Sequence, residues 1–344
     1  MVAALPWLEA PLREALSARR EHHALLVHGP RGAGQFELAL VLAKGWLCEG
    51  VASQRPCNRC ASCLLAISRN HPDLLVLLPE VLGLQLGWGI EEEDGSGASN
   101  RKPSKEIRVA AVRAAVEFAL TTSARGRAKV IVLFPAESMN AIAANALLKT
   151  LEEPGGLTRF ILASANPEAL PATVRSRCRP LHLPVPPADE ACRWLAGEGV
   201  QEPERLLAAT GGQPLEALAW SAERVDAGTL ERLPAEVLRG DASAVAQWPV
   251  PRVIEILQKL CHDAMRVQVG APPRYFPDLP PMPGARSDAL HEWARSLTRA
   301  AHDADHPWHA GLIIDALVLQ GSTACQGLPA HERSRRTHSI HSPP

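Results

Sequence analysis

Four cysteines, Cys48, Cys57, Cys60 and Cys63, fall within 16 residues in the pattern C-x8-C-x2-C-x2-C. Three thiols at x2 spacing form a tight turn, and Cys48 upstream can complete a tetrahedral four-thiolate zinc site. With sulfur in every position no coordination site is left for water, so such a zinc is structural. Zinc is inferred here from the thiolate count, and iron could take its place in a recombinant preparation. His71 is an alternative to Cys48 as a ligand, although His71-Pro72-Asp73 reads better as the lead into a strand. The plain alternative is four free thiols. Cys178, Cys192, Cys261 and Cys325 are scattered singly and read as core or surface residues.

A second constellation begins at Leu25-Leu26-Val27-His28, an apolar run leading into Gly29-Pro30-Arg31-Gly32-Ala33-Gly34-Gln35-Phe36 and then a helical pattern. Strand, glycine-rich loop and helix N-terminus together make a phosphate-cradling arrangement, and Gly29 and Gly34 keep the G-x4-G spacing. Lysine should follow, to meet the β- and γ-phosphates, and then a hydroxyl to hold Mg²⁺; Gln35 and Phe36 stand there instead. A hydrolytic site also needs acidic residues after a later strand. The candidate strand Val130–Phe134 ends in Phe134-Pro135, with Glu137 reading as the N-terminal acid of the next helix. Gly29, Gly32, Gly34 and Gln35 are therefore expected to form a degenerate phosphate loop that holds no ATP, and the chain is expected not to hydrolyse it. Arg175, Arg177 and Arg179, by spacing alone, read as a solvated basic turn.

The elements that must position these residues are legible as patterns. Ala24–His28, Leu74–Leu78, Lys129–Phe134, Phe160–Ala163 and Leu181–Leu183 are near-continuous apolar runs, as expected of parallel strands buried on both faces. Gln35–Trp46, Ile107–Thr121 and Ala141–Glu153 are helical and lie between them, giving an α/β class with helices on both faces of the sheet. The stretch 91–105 is polar and reads as a mobile loop. Leu183-Pro-Val-Pro-Pro187 is a linker, after which the pattern is helical to about Gln320, including Asp189–Ala196, Pro203–Ala209, Leu215–Ala222, Val253–Val269, Ser287–Ala301 and Ala310–Leu319. The tail 331–344 is basic and apolar-poor, and is expected to be disordered. In 344 residues, 36 Lys and Arg nearly cancel 37 Asp and Glu, which argues against a globally basic nucleic-acid binder. No apolar run reaches the roughly 18 residues needed to cross a bilayer. Met1–Arg20 lacks the basic and apolar regions of a signal peptide, and the cysteine usage fits a reducing compartment, so a cytoplasmic location is expected.

Asn145-Ala-Leu-Leu-Lys-Thr-Leu-Glu-Glu-Pro154, Phe160-Ile-Leu-Ala-Ser-Ala-Asn-Pro167, Leu170-Pro-Ala-Thr173 and Ser176-Arg177-Cys178, in this order and spacing, resemble the AAA+ ATPases of the bacterial sliding-clamp loader. The resemblance covers about residues 1–325. It implies an AAA+ P-loop-type domain over 1–184 with a zinc module at 48–63, a small helical lid domain over 188–245 and an all-α collar over 246–325. Motor subunits of that family keep Lys-Thr in the loop, Asp-Glu after the third strand and an arginine near Gly211-Gly212-Gln213-Pro214; their loss here implies the non-hydrolysing subunit type. Arg177 matches the family's arginine finger, which serves a neighbouring subunit's ATP site. The implied partners are the motor subunits (gamma/tau type) and delta in a hetero-pentamer joined by collars, with the sliding clamp and primer-template DNA reached through the complex. The activity implied is that of a subunit of a DNA polymerase holoenzyme, acting in replication. An active motor ATPase, or an inactive AAA+ adaptor in DNA repair or helicase loading, are the rival readings.

Overall fold

The computed structural model describes residues 5–17, 22–88, 102–303 and 309–326. Most of the loop expected at 91–105, and all of the tail at 331–344, lie outside the described residues. The chain divides into two compact units, Met1–Pro186 and Pro187–Pro344, and the join falls in the proline-rich stretch.

The first unit opens with a 3-10 turn, Pro6–Leu8, and helix α1 (Glu9–Ser17). Five strands follow: β1 (Ala24–His28), β2 (Leu74–Leu77), β3 (Lys129–Leu133), β4 (Thr158–Ser164) and β5 (Arg179–His182). Between β1 and β2 lie α2 (Gln35–Leu47) and α3 (Ala61–Ile67), and between β2 and β3 lie α4 (Glu80–Gln85) and α5 (Val109–Leu120). Helix α6 (Ala141–Glu152) joins β3 to β4, and the single turn α7 (Ala172–Arg175) precedes β5. Every strand pairing is parallel, in the order β2-β3-β4-β1-β5. The expected α/β class with a P-loop-type parallel sheet is therefore what the chain adopts.

Alternate strand residues serve opposite layers, as a two-residue period requires. Leu26, Ile131, Leu133, Phe160 and Leu162 join Val112, Ala115, Ala143, Leu147 and Leu151 of α5 and α6 in one core cluster. Val130, Val132, Ile161 and Ala163 are equally buried, and α2 packs on β3 and β4. Helix α2 is apolar nearly all round because it is enclosed, with Leu38, Leu42 and Trp46 fully buried. Strand order reverses around β1, where Val27 is paired with Ala163 on one side and Leu181 on the other. A crevice at such a reversal, outside the carboxyl ends of the strands, is the usual ligand position in open α/β sheets.

The second unit is all helical: α8 (Ala188–Gly197), α9 (Pro203–Ala209), α10 (Pro214–Ala222), α11 (Ala227–Arg239), α12 (Val250–Gln268), α13 (Ser287–His302) and α14 (Ala310–Gln326). Helix α11 has no counterpart in the sequence pattern, since Gly228 and Pro234 interrupt it as text. Asp226 caps it, accepting the Thr229 amide at 2.8 Å, and Pro234 is buried against its neighbours. Asp263 of α12 is fully buried and accepts the amides of Arg274, Tyr275 and Phe276 at 2.7–2.8 Å, which fastens the 271–284 connection to the helix.

Arg252, at the start of α12, reaches α10. It pairs with Glu216 and Glu223 at 2.7 Å each, contacts Glu255, and lies over the Trp220 ring. The side chains of Arg252 and Glu216 are each only 11% exposed. No helix among the described residues is long and apolar enough to cross a membrane. Because removing one member of a buried pair strands the other, Arg252→Ala is expected to destabilise the second unit by about 3 kcal/mol. Urea unfolding should register that loss, and Arg252→Met combined with Glu216→Met should recover most of it.

Candidate functional site

The glycine-rich loop leaves β1 at the crevice, and its glycines answer to local sterics. A Cβ on Gly29 would stand 2.1 Å from the Leu183 carbonyl oxygen, so only glycine lets the loop pass beside the exit of β5. Gly32 and Gly34 have φ of 75° and 105°, and Gly34 is the N-cap of α2. Gln35 is buried, and its side-chain amide donates to the carbonyls of Gly29 and Pro30, both at 2.6 Å. A neutral amide thus bonds back onto the loop from the position where an ammonium would face phosphate.

Phe36 stacks on Phe134, with ring centroids 4.8 Å apart and planes 17° from parallel, and meets Trp88 edge-on. Two positions that would carry a hydroxyl and a carboxylate around Mg²⁺ are therefore one aromatic contact. From the other side Trp7 donates its indole N–H to the Ala33 carbonyl at 2.8 Å, and a Cβ on Gly34 would come within 2.9 Å of Leu5. Glu137 lies in a 3-10 turn, Ala136–Ser138, as its N-terminal acid. Its Oε1 accepts the amides of Ala165 and Asn166 at 3.0 and 3.2 Å, tying the turn after β3 to the end of β4. His28 and His182 end β1 and β5 with rings 5.3 Å apart, and burial together with the neighbouring His182 pushes the His28 imidazole below its usual range.

Arg177 follows α7 and is paired, within the chain, with Glu152 at the end of α6; its Nε donates to Glu152 Oε1 at 2.6 Å. Nη1 donates to the Thr173 carbonyl at 2.8 Å. Arg175 is paired similarly with Glu168. The cluster is therefore more than a solvated basic turn, although the Arg177 side chain keeps 31% of its surface exposed. Cys178 is buried in the core, which pushes its thiol up to about 12, and Ser176 donates to the Thr173 carbonyl at 3.1 Å.

The ligand sulfurs of Cys48, Cys57, Cys60 and Cys63 all lie within 4.8 Å of one another. A tetrahedral four-thiolate centre, with metal–sulfur bonds of about 2.3 Å, separates its sulfurs by about 3.8 Å. Cys48 and Cys60 stand 3.9 Å apart, and the remaining pairs, at no more than 4.8 Å, are within about 1 Å of that spacing, so the four sulfurs could hold a metal with a small inward adjustment. Backbone amides already face the sulfurs: those of Gly50 and Cys57 point to Cys48, at 3.3 and 3.4 Å, and that of Cys63 points to Cys60 at 3.4 Å. Amides of Arg59 and Cys60 lower the Cys57 thiol to about 6. Asn58, in the left-handed region with φ of 58°, makes the turn between Cys57 and Cys60. The His71 alternative does not hold. Its Nε2 meets Ser62 Oγ at 3.1 Å and its Nδ1 takes the Asp73 amide at 3.0 Å, so both ring nitrogens are engaged at the start of β2.

Sequence reasoning missed what fastens the cysteine module to the sheet. Arg125 reaches Glu49 Oε1 at 2.6 Å and Ser62 Oγ at 3.0 Å, and buried Asp73 accepts the amides of Ala124 and Arg125 at 2.7 and 3.0 Å. Glu49 and Arg125 are 76 residues apart, and no local pattern joins them.

A family model described as "DNA polymerase III, delta subunit" matches residues 6–187, just over half of the chain. DNA polymerase III subunit delta' of Pseudomonas aeruginosa is 38% identical over 240 residues, 68% of this chain and 65% of that protein, so the chain spans slightly under two thirds of that relative's length. The Escherichia coli delta' subunit is 33% identical over 282 residues, 77% of each chain. The tau subunit of Salmonella typhimurium is 34% identical over half of this chain and 23% of its own length. Among solved structures, a DNA polymerase III gamma subunit-related protein from Thermotoga maritima superposes with a TM-score of 0.48 at 15% identity, covering 92% of this chain and 100% of that one. With a matching family model over half its length and two such delta' relatives, the chain belongs to the DNA polymerase III delta' family.

Proposed function

We propose that this chain is a non-hydrolysing AAA+ subunit of the bacterial clamp loader, which completes a neighbouring subunit's ATP site with Arg177 while its own phosphate loop stays empty of nucleotide. The stack of Phe36 on Phe134, beside the self-bonded Gln35, carries the reading. It leaves no ammonium at position 35 to meet the phosphates and no oxygen at position 36 or 134 to hold Mg²⁺. Arg177, by contrast, keeps a partly exposed side chain, and a guanidinium can meet a phosphate bidentately. In this reading residues 1–184 are the AAA+ domain, 188–245 a lid and 246–325 a collar that joins motor subunits of the gamma/tau type and delta. The sliding clamp and primed DNA are engaged through that complex. Arg252, tying α10 to α12, suits a part that holds its shape while its neighbours cycle.

Equilibrium ATP titration of the isolated chain with Mg²⁺ should show no saturable binding up to millimolar nucleotide; a micromolar Kd would instead support the motor reading. In the reconstituted loader, Arg177→Ala should leave assembly unchanged by gel filtration. It should cut single-turnover hydrolysis at the adjoining ATP site by roughly 10³-fold or more, the scale of an arginine finger. A wild-type rate there would refute the role given to Arg177.

Cys48, Cys57, Cys60 and Cys63 would hold one structural zinc, which supplies a cross-link within 48–63 and no reaction chemistry. Metal analysis of the purified chain should return one zinc per chain, lost on Cys60→Ser. Thiol titration gives an independent readout. Burial pushes Cys178, Cys261 and Cys325 up to about 12; partial burial and the Glu204 and Asp189 carboxylates raise the Cys192 thiol too, but it is less buried than those three and should be the first of the four to react in the loaded protein. Chelation should add the four module thiols to it.

A further inference from the structure

The guanidinium of Arg177 is gripped along one side. Its Nε donates to Glu152 Oε1 at 2.6 Å, Nη2 donates to the same oxygen, and Nη1 donates to the Thr173 carbonyl at 2.8 Å. A longer contact of 3.3 Å runs from Nη1 to Ser176 Oγ. A guanidinium has five N–H groups in a rigid plane, and its side edge (Nε and Nη2) and its end (Nη1 and Nη2) can serve different partners at once. Glu152 takes the side edge. At the end, Nη2 keeps one N–H and Nη1 offers a second once the 3.3 Å contact to Ser176 is given up, so that edge can then meet a phosphate with two parallel bonds.

The carboxylate comes from the last residue of α6, whereas Arg177 stands after α7, so the grip ties the arginine to a helix anchored in the sheet core by Leu147 and Leu151. Glu152 is 48% exposed, and an ion pair that open contributes little to folding. Its effect falls on orientation. A long, exposed arginine otherwise samples many rotamers, and freezing them at the moment of reaction slows the step it serves.

Resting on the reading of Arg177 as a finger in trans, we infer that Glu152 is a positioning residue for it: the carboxylate fixes the guanidinium plane so that its outer end faces the neighbouring subunit's γ-phosphate. The negative charge works slightly against phosphate binding, so the benefit lies in the rate of the step and not in affinity.

The test uses the reconstituted loader with clamp and primed DNA, following single-turnover hydrolysis at the ATP site adjoining this subunit as a function of ATP concentration. Glu152→Ala should lower the Arg177-dependent part of the maximal rate about five- to tenfold. The half-saturating ATP concentration should stay unchanged or fall, a split that general loosening of the fold would not produce. Glu152→Gln, which keeps an acceptor oxygen in place, should restore most of the rate. In an Arg177→Ala background Glu152→Ala should have no further effect. An unchanged maximal rate in Glu152→Ala, in a loader where Arg177→Ala lowers it, would overturn the inference and spare the finger. So would a Glu152→Ala loss that multiplies with that of Arg177→Ala. If Arg177→Ala alone leaves the rate unchanged, the finger reading fails and this inference fails with it.

Discussion

Parallel strands are stable only when both faces are covered, and that requirement decides where chemistry can emerge in this chain. All five residues of β3 are buried, and β4 is nearly as enclosed, so the faces of these central strands are unavailable to a ligand, whereas the edge strands β2 and β5 are only partly covered. What remains is the carboxyl edge, where the chain turns from strand to loop. The glycine-rich loop, the Glu137 turn, His28 and His182 all collect there. Gly29 passing against the Leu183 carbonyl interlocks that edge, because the loop after β1 and the exit of β5 share one space. Arg177 stands in the turn leading into β5, two residues before the strand begins.

β1, β3 and β4 were legible because enclosure on both sides leaves no polar alternation to confuse the pattern; the edge strands β2 and β5 are less covered, and the structure moves the ends of all five by at most two residues. Strand order was not legible, since pairing is decided by contacts far apart in sequence. Residue types at Gln35, Phe36, Phe134 and Pro135 showed which side chains of a nucleotide site are replaced, but not that Gln35 would turn back onto the Gly29 and Pro30 carbonyls, nor that the two phenylalanines would meet. The cysteine cluster could be read because ligand spacing is local. Excluding His71 took the two hydrogen bonds that occupy its ring. The contact of Glu152 with Arg177 spans 25 residues and has no periodic signature, so the sequence does not show it.

In the second unit the division into lid and collar is what the resemblance implies, and the helices pack across the point where it would fall. Helix α11 packs against α14, and Arg252 binds α10 to α12 through two carboxylates and the Trp220 ring. Buried ion pairs add little net stability against an apolar core, but they tolerate few alternative geometries. That trade suits a unit whose contribution would be a fixed shape.

The contact between Phe36 and Phe134 also constrains which substitutions this loop can accept. A lysine at position 35 would need phosphate or an acid to justify its charge in a buried loop, and a hydroxyl at position 36 would leave the Phe134 ring facing a void. An acid at position 134 would in turn be buried against Phe36. Each single change toward a nucleotide site would therefore lower stability before any binding offset it, and the three positions would have to change together. The aromatic pair couples residues far apart in sequence, so that neither ring can be exchanged for a metal-holding group without the other.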